Sequence, residues 1–325
     1  MFSYIVRRVL LGVLTLTLIT FFMYALIRFI PGNPLRLEAG EAASQKETRE
    51  NYDRMLAAYG LDKPWYVGYC DWLMKAICGD FGTSITQKIG VMRLIGERVG
   101  PTLVLSVTSL SLTYLLSVPL GLYMTSRSGA ADERVVSTLL YMLYSFPTFV
   151  AALLLQIAFA IKLGWLPLGN MQSDDYADLS TWEKVLDVSR HAILPVICET
   201  YGVLAYYSRF VNANLQEVIR QDYIRTARAK GVSRFRVLTY HALRNTMIPL
   251  ITMLGISLPR LLSGAVILEY IFSWPGMGLL YFVSLSMRDY PTIMGLTLIF
   301  ATLTLLGQLI ADVLYAFFDP RVTYS

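Results

Sequence analysis

Two stretches, Thr102–Thr125 and Val135–Ile161, run without a single Asp, Glu, Lys or Arg. About 20 apolar residues in a helix cross the roughly 30 Å of bilayer hydrocarbon. Inside hydrocarbon only helices and closed barrels satisfy the backbone, and a barrel would show alternation, which is missing here. Four further stretches have the same character: Val9–Ile30, His191–Ser208, Thr246–Phe272 and Pro291–Phe318. The pattern predicts an all-α polytopic membrane protein with six transmembrane helices. Composition agrees: 16% of the 325 residues are charged, against about 25% in soluble domains. This composition argues against a soluble single-domain enzyme and excludes a disordered or collagen-like chain. Arg7-Arg8 before the first run resembles a signal peptide, but the run is too long and no small-x-small site follows closely, so a retained span is expected.

Charge sets the orientation. With the N-terminus inside, 13 basic residues fall in short cytoplasmic segments and 4 in short outer ones. That asymmetry predicts both termini on the cytoplasmic side. Three domains are expected: residues 1–30, a first transmembrane helix; 31–101, an extracytoplasmic helical loop; and 102–325, a core of five transmembrane helices with a cytoplasmic loop at 216–245. In the outer loop, Ser44 and Glu47 fit a capping box. Pro64 suits the first turn of a helix ending at Gly79, with Trp65, Tyr69 and Trp72 on its apolar face.

The loop between the fourth and fifth spans is the most informative segment. Asp222 is expected to cap a short helix, Tyr223–Lys230, and Gly231 to stop it in the left-handed region. Ser233 would cap a second helix reaching Asn245. Tyr223, Ile224 and Ala227 would form one partly apolar face, ringed by Arg225, Arg228 and Lys230. The plain alternative is a basic loop resting on anionic lipid.

Several chemistries are missing. A phosphate-binding loop needs Gly-Lys-Ser/Thr after a glycine-rich turn, and this chain has no Gly-Lys pair. It has no HExxH, no GxSxG, no Asp-rich calcium loop and no potassium-type filter. Cys70, Cys78 and Cys198 form no CxxC pair. Cys70 and Cys78 are expected to be separate thiols, and Cys198 to be packing.

Asp222-Tyr-Ile-Arg-Thr-Ala-Arg-Ala-Lys-Gly231, with Ile248-Pro249 downstream, resembles the EAA motif of bacterial ABC-importer permeases. The closer resemblance is to the B-type subunit of the dipeptide/oligopeptide/nickel permease family. Ile30-Pro-Gly-Asn-Pro34, Gly60-Leu-Asp-Lys-Pro64, Gly79-Asp-Phe-Gly82, Phe272-Ser-Trp-Pro-Gly-Met-Gly278, Arg288-Asp-Tyr-Pro291 and Asp319-Pro-Arg321 agree with it. The resemblance implies a type I ABC importer permease fold in the bacterial plasma (inner) membrane. It implies binding-protein-dependent import of peptides or related small solutes, without catalysis in this chain. ATP and magnesium would sit on a separate ATPase, and no cofactor is expected here. The implied partners are a homologous second permease in a heterodimer, two cytoplasmic ATPases, an extracytoplasmic solute-binding protein and membrane lipid, with no nucleic acid. Asp222, Tyr223, Ile224, Arg225, Ala227, Arg228, Ala229, Lys230 and Gly231 would be the ATPase-coupling residues. A secondary transporter or channel driven by an ion gradient is the alternative.

Charges inside a membrane are costly and usually face a bundle interior or a wet cavity. Glu199 and Arg260 are therefore candidates for the translocation path, or for a structural ion pair. Pro259 is expected to bend the span beside Arg260. Glu269 and Asp312, near span ends, are expected to reach water. His241 has no visible second ligand, so no metal site is expected.

Overall fold

The computed structural model describes residues 2–29 and 62–318. Among them there is no strand, only one isolated bridge between Thr83 and Gly90. Long apolar runs with internal backbone hydrogen bonding give helices, and these pack into one bundle.

Helix α1 (Phe2–Phe29) lies against α11 (Tyr290–Phe318), with Gly12 facing Leu305. Its C-terminal half packs on α2 (Trp65–Ile77). Phe21 and Tyr24 meet Tyr69 edge-on at ring separations of 5.5 and 5.7 Å, and the Tyr69 hydroxyl donates to the Thr17 carbonyl at 3.0 Å. Pro64 stands at the cap just ahead of α2 rather than in its first turn. Gly79, at φ +80°, follows its end. Cys70 lies within α2 and Cys78 at its C-cap, and both are free thiols, as expected. The Ser44–Glu47 capping box lies outside the described residues.

Helix α3 (Val91–Ser126) starts inside the stretch expected to be outer loop. It continues through Pro101, because Leu94 and Ile95 are anchored on Met277, Leu280 and Leu296. One missing N–H does not outweigh that burial. Its main partner is α6 (Thr181–Val218). The two approach closely at Gly121, where an added Cβ would stand 2.4 Å from Val211. The N-terminus of α6 carries a reciprocal capping box between Ser180 and Glu183.

The charge-free run 135–161 is not one straight helix. It divides into α4 (Ala131–Ser145) and α5 (Thr148–Leu155), with α5 continued by a π segment, Gln156–Lys162. The two halves are bent by 93°. Pro147 has no N–H and holds Phe146 in extended backbone, so the helix stops there.

After α6 comes the short α7 (Asp222–Ala229). A turn at Arg234–Arg236 and a π segment at Val237–Ala242 then lead into α8 (Leu243–Ser263). α8 stays helical through Pro249 and Pro259. Its break falls at Gly264, φ +70°, before α9 (Val266–Ile271). The expected fifth span is thus two helices. α10 (Met277–Met287) and α11 complete the bundle. Among the described residues, Val6–Phe29, Val91–Ser126 and Tyr290–Ile310 are each long and apolar enough to cross a membrane, and the bent pair would make a fourth.

Candidate functional site: a surface knob and a broken-helix cavity

The knob is made by α7. Asp222 sits in its first turn; Gln221 holds the N-cap position. The helix is stopped by Gly231 at φ +78°. The Gly231 amide donates to Arg228 O at 3.0 Å and the Val232 amide to Ala227 O at 3.2 Å. This paired geometry needs a left-handed residue, and glycine takes that conformation without Cβ strain. Val232 then packs back on the core.

α7 is set differently from the sequence expectation. Ile224 and Ala227 point inward, onto Val211, Leu215, Val237, Ala242 and Leu250. They root the knob in the bundle and form no outer apolar face. Exposed are Asp222, Tyr223, Arg225, Arg228, Ala229, Lys230 and Gly231. Phe235, 77% exposed on the following turn, adds an aromatic side chain that the sequence expectation did not include. Asn245 donates its amide to the Tyr223 hydroxyl, and Arg234 donates to the Ser126 carbonyl at the end of α3. Asp222 accepts from Arg225 at 3.3 Å. Ser233 takes the N-cap backbone position without a side-chain cap.

A cavity of about 400 Å³ lies between α3, α6 and the α8–α9 junction. Ser106, Ser109 and Thr113 line it from α3, Glu199 and Tyr207 from α6, and Ser257 from α8. Tyr207 and Ser257 share a 2.6 Å hydrogen bond. Glu199 is half-buried on the cavity wall. Arg260 lies on α8 one turn before the break at Gly264; its side chain, like that of Asp312, is outside the described ones. The structure thus brings Glu199 to a cavity near the C-terminal end of α8 and roots α7 near the N-terminal end of that helix.

Glu269 does not reach water. It is fully buried, with Thr102 donating to Oε1 at 3.2 Å and the Leu279 amide to Oε2 at 3.0 Å. A Cβ at Gly264 or Gly276 would fall within 2.4 Å of its carboxylate. Glycines on the flanking turns and the N-terminus of α10 therefore make room for a buried carboxylate and satisfy it. The Phe272–Gly278 segment contained this signal in its glycines, but the partner Thr102 is 167 residues away. Asp289 was also missed. It is buried and takes the Ile85 amide and the Thr86 hydroxyl, each at 3.0 Å.

A helical bundle with a basic surface knob, a discontinuous helix and a cavity beside the break defines a membrane-embedded transport subunit. The chain belongs to the binding-protein-dependent transport system inner membrane component family, whose model matches residues 117–324. Residues 1–106 match the N-terminal model for membrane components of such systems. It is 38% identical to the oligopeptide transport system permease protein AppB of Bacillus subtilis, over the full length of both chains. It is 34% identical to the glutathione transport system permease protein GsiC of Escherichia coli K12, again over both full lengths. Among solved structures it resembles a chain of the inward-facing MetNI methionine ABC transporter, with a TM-score of 0.53 and 18% identity, over 69% of this chain and 96% of that one. This last likeness is one of fold.

Proposed function

We propose that this chain forms half of the translocation path of an ATP-driven importer for di- or oligopeptides, and that residues 216–245 couple it to a cytoplasmic ATPase. In this reading the bundle has six spans, with both termini cytoplasmic and residues 31–101 on the outer face. It pairs with a homologous second permease, two ATPases and an extracytoplasmic solute-binding protein in the bacterial inner membrane. ATP and magnesium act on the ATPases alone. Substrate passes the cavity that holds Glu199, and Arg260 is assigned to the same path.

One observation carries the coupling assignment: α7 is built as a rigid protrusion. Buried Ile224 and Ala227 fix its base, and Arg225, Arg228 and Lys230 stand exposed. A lipid-resting basic loop needs no such buried base or glycine-stopped helix. Gly231→Val places a β-branched residue at φ +78°, a strain of about 1 kcal/mol or more. No atom lies within 4 Å of an added Cβ there, so the effect is confined to the shape of the knob. Gly231→Val should stay in the membrane but lose ATPase co-purification, or lose peptide-stimulated hydrolysis in reconstituted vesicles. Full partner binding with full transport would overturn the coupling role.

A further inference from the structure

The cavity at the α8–α9 junction has a mostly apolar wall, formed by residues such as Leu110, Val203 and Leu268, into which a few oxygen-bearing side chains are set. Glu199 brings a carboxylate to it from α6. Ser106, Ser109 and Thr113 follow one face of α3, at positions i, i+3 and i+7. Ser109 is 2% exposed, lines the cavity, and its hydroxyl has no hydrogen-bond partner among the described residues. The C-terminal end of α8 meets the same space at Leu261 and Gly264, and a helix C-terminus carries about half a negative charge. Backbone that leaves helical form at membrane depth belongs where it is buried or lines a cavity, and interrupted helices are a marker of solute sites.

A carboxylate, hydroxyl oxygens and a helix C-terminus together match a compact cation with several N–H donors. An ammonium group has three. We infer that Glu199 and Ser109 form a binding site for the ammonium group of the transported solute, the chemical class being the α-amino terminus of a short peptide. The peptide class rests on the importer reading above. The site itself rests on the cavity. Arg260, one turn earlier on α8, is the cation nearest in sequence to the junction, so the test reads the net sign of the cavity directly.

Val203 lines the cavity one turn beyond Glu199 on α6. The reporter is Val203→Cys in the intact importer complex, with Cys70, Cys78 and Cys198 replaced by alanine. Its rates with a trimethylammonium-bearing and a sulfonate-bearing methanethiosulfonate are measured in detergent and normalised to a free thiol. The expected result is a preference of tenfold or more for the cationic reagent. Glu199→Asp should keep it and Glu199→Gln should abolish it. Trialanine should slow the cationic reaction while N-acetyl-trialanine does not. A ratio at or below one with native Glu199, or a preference untouched by Glu199→Gln, overturns the site. A Glu199-dependent preference with no protection by trialanine, and no peptide uptake by wild-type vesicles, supports the ammonium site while the peptide reading falls.

Discussion

The Ile85 amide donates to the Asp289 carboxylate at 3.0 Å, across 204 residues of chain. Asp289 is 1% exposed, and Ser84 and Thr86 donate to it as well. The turn before α3 is thereby fixed to the α10–α11 junction, where Arg288 adopts a left-handed backbone. Asp289→Ala would leave these donors without their acceptor, which costs about 2–4 kcal/mol. Thermal unfolding of the purified chain in detergent should show a fall of several degrees. Asp289→Asn, which keeps an acceptor oxygen, should lose less.

Gly276 and Gly100 make a matched pair for testing the buried Glu269. An added Cβ at Gly276 stands 2.3 Å from Glu269 Oε2 and 2.5 Å from Thr102 Oγ1, whereas at Gly100 it meets nothing within 4 Å. Gly100 also lies within α3, where alanine is favoured over glycine by about 1 kcal/mol. Gly276→Ala should therefore lower the unfolding midpoint and Gly100→Ala should hold or raise it. Equal responses would mean that the glycine cage around Glu269 is not tightly packed.

The inward set of α7 separates two kinds of knob variant. Ala227 is 8% exposed against Val211 and Leu215, so Ala227→Arg buries a charge and should destabilise the knob by about 2 kcal/mol or more. Arg228 is exposed, so Arg228→Glu should leave the unfolding midpoint unchanged and weaken ATPase binding. Limited proteolysis of the 216–245 segment, read beside co-purification, distinguishes them: only Ala227→Arg should be cut faster.

Asp187 gives a pH dependence at the N-terminal end of α6. Burial pushes its carboxyl up, but the Ser173 hydroxyl and amide, with His191 and Arg190, outweigh this and hold it below the usual range. The Ser173 amide bond to it is 2.9 Å. A depressed folded value stabilises above the unfolded carboxylate value near about 3.9. The contribution is lost as pH falls below that value through the lower folded one. Protection of the Ser173 amide, measured as its exchange rate relative to the unstructured rate at each pH, should be high above about pH 4 and fall below it, and Asp187→Asn should flatten the profile.

What the sequence disclosed was local. Gly79 and Gly231 were legible because a left-handed stop is a property of one residue and its neighbours. Apolar length marked the membrane-type helices, but not their ends. α3 and α6 continue well past their apolar stretches, since packing on Met277 and a capping box at Ser180–Glu183 extend them. That capping box fits the Ser-x-x-Glu signature and was open to recognition. The 93° bend at Pro147 lies in a run that hydropathy reads as continuous, because hydropathy carries no direction. The partners Thr102 of Glu269 and Ile85 of Asp289 were out of reach, as they lie 167 and 204 residues away. The inward turn of Ala227 was hidden because an eight-residue helix with apolar and basic residues can present either side to its own bundle.

α8 begins beside the knob and ends at the cavity, with no non-helical residue from Arg234 to Ser263. Its 21 residues make a rod about 30 Å long, stopped by one left-handed glycine. If an ATPase pushes on α7 as proposed, the rod carries that displacement to the cavity wall without a relay of side chains. Gly264 is then the bearing on which it turns, and Glu199 is the wall residue across from it. In such a lever, stiffness of α8 governs how much of each stroke arrives, so helix-softening changes in mid-α8 would lower transport per ATP while leaving both ends intact.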